Sequence, residues 1–103
     1  MKPIDIRNEN FKSMQDQLHG QRKAVFDAWQ RYGPTTTEHL STVVAISLLT
    51  IRPRTTELYQ IGLLECAGHA DGCGIYRART AEEWEEWRIV ETAHMTVRQQ
   101  QLL

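Results

Sequence analysis

Between Asn8 and Tyr32 the apolar residues Phe11, Met14, Leu18, Val25, Ala28 and Tyr32 recur at intervals of three, four or seven. That period gathers them on one side of an α-helix. His19–Gly20 interrupts the pattern, so it predicts either one long helix or an arm over residues 1–20 followed by a helix from about residue 21. Gly33 and then Pro34 end it, a residue tolerant of positive φ followed by one that cannot continue. In "TTTEHLSTVVAIS", Thr35 with Glu38 three residues on fits a capping box, and Leu40, Val43 and Val44 give a short helix its apolar face. "VAIS" then reads as a tight turn. Ser47 can cap a further helix over about 48–61, with Leu48, Ile51, Thr55 and Leu58 inward and Gly62 as its stop.

Past Gly62 the period changes. "LLECA" and "GIYRAR" are strand-like runs around "GHADGCG", a Gly- and Asp-rich tip, and together they predict a β-hairpin. From Thr80 the helical period returns, with Thr80 and Glu83 as a second capping box and a stripe of Trp84, Trp87, Val90, His94 and Val97. The pattern predicts a mainly α chain with a small β-hairpin, in the α+β class.

The length of 103 residues suits one domain that holds its core without disulfides or metal. Charged residues make up 24% and hydrophobic ones 41%, ordinary values for a soluble globular protein. No apolar run is long enough to span a membrane, and "MKPIDIRNENF" lacks the apolar centre of a secretion signal, so the cytoplasm is the expected compartment. The net charge of −1 argues against a protein that coats nucleic acid, but the charge is polarised. Residues 1–60 carry a small basic excess, whereas "AEEWEEW" makes the rest acidic.

Helix, short strand position, two helices across a tight turn, then a hairpin is an order that resembles the winged helix–turn–helix family. The resemblance covers about residues 21–79 and is greatest to small winged-helix proteins of bacteriophages and prophages. It rests on "TTTEHLSTVVAIS", "LLTIRPRTTELYQIGLL" and the run Pro53-Arg54-Thr55-Thr56-Glu57-Leu58 through Gly62-Leu63. Ala45 departs from the family, where glycine is common in the turn. The arm and the helix over 80–103 lie outside the likeness. It implies a DNA-binding regulator of phage or prophage origin, with residues 48–61 as recognition helix and the hairpin as wing. It needs no cofactor.

Pro53 fits such a helix in two ways. With Thr50 as cap it occupies the first turn, where its missing N–H costs nothing. With Ser47 as cap it removes one internal hydrogen bond. At 100° per residue, Leu49, Arg52, Pro53, Thr56 and Gln60 point away from the Ile51–Leu58 side. On the resemblance, the DNA-contacting set is Thr50, Arg52, Pro53, Arg54, Thr56 and Arg77. Arg52, with no acidic residue four positions on, is the candidate for bidentate contact to guanine. Thr50 and Thr56 suit phosphate or a thymine methyl. Arg54 has Glu57 at i+3, and a surface ion pair is its plainer role. Arg77 and Arg79 alternate with Tyr76 and Ala78 and either face phosphates or form a charged edge. The tip offers only His69 and an opposing Asp71, a near-neutral wing.

Cys66, His69 and Cys73 give a C-x2-H-x3-C spacing that fits no common zinc pattern, and two reduced thiols are the better reading. Glu82, Glu83, Glu85 and Glu86 are helix-start charges, the four histidines are scattered, and no catalytic constellation emerges. Two expectations concern partners. The Trp87–Val90–Val97 stripe suggests a homodimer that sets two recognition helices on a palindrome of double-stranded DNA. The neutral wing and acidic last helix suggest instead a module that binds a host or phage protein.

Overall fold

The break at His19–Gly20 separates two helices: Gly20 takes a φ of +58°, which an L side chain adopts only at a cost. The computed structural model describes residues 3–70 and 72–101, with side-chain surroundings for 8–70, 72 and 74–93. In order these form α1 (Pro3–Asp16), α2 (Gly20–Tyr32), β1 (Thr35–Thr36), α3 (Thr37–Val44), α4 (Leu48–Gln60), β2 (Leu64–Ala70), β3 (Cys73–Ala78) and α5 (Ala81–Gln101). The described residues are mainly helical with a small antiparallel sheet in the order β1-β3-β2, an α+β fold. The stretch expected as an arm is therefore helical over Pro3–Asp16, and α1 packs on α5, with the rings of Phe11 and Trp84 6.0 Å apart.

The three threonines before α3 divide their work differently from the capping box expected at Thr35. Thr35 and Thr36 pair with Tyr76 and Ile75 of β3, and Thr36 is the cap, its hydroxyl accepting from His39 N. Three adjacent threonines offer the same capping chemistry, and strand pairing takes the first of them. Ala45 closes α3 at φ +56°, ψ +34°, and its N–H reaches Ser41 O. Ser41 Oγ donates to Ile46 O at 2.6 Å, which ties the turn from α3 into α4.

α4 ends in a Schellman arrangement. Gly62 at φ +84° lets its own N–H reach Tyr59 O and Leu63 N–H reach Leu58 O, while Leu58 and Leu63 are both buried. A Cβ at Gly62 would lie 2.2 Å from the Trp87 ring, so α5 rests directly on this turn. The core gathers Val25, Phe26 and Trp29 of α2, Leu40 of α3, Ile51 and Leu58 of α4, and Leu63 and Leu64 at the hairpin's entry. Each such side chain contributes about 1.5–3 kcal/mol by leaving water.

Inside that core, Trp29 Nε1 donates to Thr55 Oγ1 at 3.0 Å. Thr55, the one polar residue among the inward positions of α4, is thereby satisfied, and the bond fixes the rotation of α4 on α2. Tyr76 of β3 meets the edge of Trp29 and that of Tyr59, with ring centroids 5.9 and 6.1 Å away.

Candidate nucleic-acid interface

Because Ile51, Thr55 and Leu58 are held inward, the opposite side of α4 faces solvent: Leu49, Arg52, Pro53, Thr56 and Gln60 are all exposed, as the helical period requires. Ser47 is the cap. Its side chain accepts from Leu49 N at 3.2 Å, and its carbonyl accepts from Thr50 N and Ile51 N. Of the two positions open to Pro53, the structure has the interior one. Without an N–H at residue 53, the Leu49 carbonyl goes without its helical donor on the exposed side.

The candidate residues have these surroundings. Thr50 is half-buried in the first turn. Arg52 does not stand free: its guanidinium donates to Glu38 Oε1 of α3 at 2.8 Å, and Thr37 Oγ1 donates to the other oxygen of Glu38. Arg54 donates to Glu57 at 2.6 Å, the ion pair its spacing suggested, and Arg22 of α2 holds the second oxygen of Glu57 at 2.8 Å. Thr56 Oγ1 donates to Arg52 O. Thr50, Arg52, Pro53 and Thr56 thus share one region, whereas Arg54 sits on the flank against α2.

Arg77 lies elsewhere. Its guanidinium is gripped by Glu65 of β2 and Glu83 of α5, and these hydrogen bonds hold it firmly in the charged form. The same contact to Arg77, followed by the backbone N–H of Thr80, pushes the Glu83 carboxyl down to about 2. The capping box expected at Thr80 is present in both directions: Thr80 N donates to Glu83 at 2.9 Å and Glu83 N to Thr80 Oγ1 at 3.2 Å. Arg79 donates to Gly62 O, lies 3.6 Å from Glu65 and stacks 5.8 Å from the centre of Trp87. Both hairpin arginines therefore fasten the hairpin to α5, and neither forms a free phosphate clamp.

A cleft of about 420 Å³ opens between the front of α4, the start of α3 and the hairpin. It is lined by Glu38, Arg52, Thr56, Gly72, Gly74 and Tyr76, among others. The hairpin approaches α4 because β2 and β3 pair in register from Leu64↔Ala78 to Ala70↔Cys73, with an irregularity between Cys66 and Gly68. Cys66 is a free, exposed thiol opposite Tyr76, in a different rung from Cys73. Asp71 and the Cys73 side chain lie outside the described residues, as do those of His94 and Val97. Of the expected α5 stripe, Trp84 is buried with Nε1 donating to Ile61 O, Trp87 is half-buried, and Val90 is 50% exposed beside Ile89.

Glu38 and Trp29 are the contributors that sequence reasoning missed. Glu38 was read only as a capping residue, and its 14-residue separation from Arg52 leaves no local signal. Trp29 was not singled out, because the helical spacing of its neighbours says nothing of what its indole N–H meets. Among the described residues, no helix is long and apolar enough to cross a membrane. Comparison of the chain with family models, with curated proteins and with solved structures finds no match.

Proposed function

We propose that this chain is a winged helix–turn–helix DNA-binding regulator of phage or prophage type, acting by occupancy of a duplex site. The observation that carries the reading is the exposed front of α4, presented beside a β-hairpin and an open cleft by a core that fixes its rotation. A helix so displayed fits the major groove, and its first turns are the part that meets base edges in such folds. The short strand β1 before α3 and its pairing with β3 match the strand order of the winged form. Exposed Ile89 and Val90 on α5 suit a homodimer, which would bring two copies of α4 to a palindrome.

A second reading has its own support. Arg52 on the α4 front and Arg77 on the hairpin are both engaged by carboxylates, which leaves both regions near-neutral and suits a protein-interaction module derived from the same scaffold.

Fluorescence anisotropy with a randomised duplex pool, at low and near-physiological salt, separates the two. The DNA reading predicts binding that weakens as salt rises, with a shallow slope because few phosphates are neutralised. It also predicts loss of binding in Thr56→Glu, which sets a negative charge on the exposed front. Absence of binding at low salt contradicts it and favours a protein partner.

A further inference from the structure

We propose that the front of α4 reads the 5-methyl groups of thymine, with Leu49 as the principal reader and Pro53 and Thr56 extending an apolar stripe. The inference rests on the DNA-binding reading and names what that face recognises.

Three observations carry it. Leu49 is 84% exposed at the second residue of α4, in the turn that would enter the groove first. Pro53 follows one turn on and is also exposed, so the two side chains lie on one side of the helix. Thr56 uses its hydroxyl proton on Arg52 O, which leaves its methyl as the outward group. The polar alternative on this face is already engaged: Arg52 donates to Glu38. Guanine readout would first have to break that pair. Among the four bases, thymine alone offers an apolar mark in the major groove. A near-neutral, methyl-bearing helix front complements that mark better than it does a row of acceptors.

The test selects the best-bound duplex from a randomised pool, then measures it by anisotropy with thymine or with uracil at every T position. Uracil keeps the base-pairing edge and lacks only the methyl. The expected result is a selected site rich in A·T pairs, weakened about fourfold for each contacted methyl removed. Leu49→Ala should weaken the thymine duplex by a similar factor and bind the uracil duplex as the wild type does, a double-mutant cycle on one contact. Equal affinity of the wild type for thymine and uracil duplexes overturns the inference while leaving DNA binding intact. Discrimination undiminished in Leu49→Ala overturns the role of Leu49. No binding to the pool at any salt removes both this inference and the reading beneath it.

Discussion

The front of α4 and the junction of the hairpin with α5 both carry arginines, and they use them in opposite ways. At the junction, Arg77 and Arg79 have side chains 31% and 16% exposed, and each meets more than one partner from separate elements. On the front, Arg52 is 58% exposed and its carboxylate partner is itself 40% exposed. An exposed pair of that kind contributes about 0–1 kcal/mol. The junction therefore holds the hairpin against α5, whereas the front stays open to solvent. The same residue type takes either role according to how many neighbours the fold brings to it.

The comparison can be broken first at the junction. Gly62→Ala forces a Cβ into the Trp87 ring at a backbone φ of +84°, so Trp87 must leave the turn. The expected loss is about 2–4 kcal/mol, from strain at a left-handed position and overpacking together, read as a fall in the urea midpoint. A smaller effect comes from acid. Glu83 has a folded-state value of about 2 against an ordinary 4.5, so its contribution is present above about 4.5 and is lost as pH falls from there toward 2. The melting temperature should drop across that window, and Glu83→Gln should flatten the drop while lowering stability near neutrality. The smallest effect belongs to the front. Leu49→Ala removes a side chain that is 84% exposed, and stability should stay within about 0.5 kcal/mol of the wild type while DNA affinity falls.

Most of the fold was legible because it is specified by neighbours in sequence. The three-and-four spacing of Ile51, Thr55 and Leu58 marked the inward side of α4, Thr80 with Glu83 marked the start of α5, and the glycine-rich tip marked the hairpin. Gly62 was readable as a helix stop; that it also seats Trp87 was not, because the two residues belong to different elements. The N-terminal stretch was ambiguous for a related reason. His19–Gly20 weakens a helix without saying whether it bends or ends, and packing of Phe11 on Trp84 decides where the first helix goes.

The site was less legible than the fold. Periodicity correctly placed Leu49, Arg52, Pro53 and Thr56 on one exposed side, yet it read Arg52 as unpaired because the only test available was for an acidic residue one turn along the same helix. Glu38 reaches it across the turn instead. Arg77 was placed in the DNA-contacting set on the resemblance, with a charged edge as the alternative; its partners come from β2 and α5. Ala45 shows the reverse case: a departure from the glycine common in the resembling family is accommodated at φ +56°, with Ser41 Oγ bonded to Ile46 O across the turn.

The most direct test is a backbone amide chemical-shift map of the labelled protein titrated with the selected duplex at low salt. The account predicts that the largest perturbations cluster over Ser47–Thr56 and at Gly72 and Gly74, while Arg77–Arg88 stays nearly unmoved. Perturbations centred on α5, or none at saturating duplex, would contradict the assignment of the α4 front as the interface.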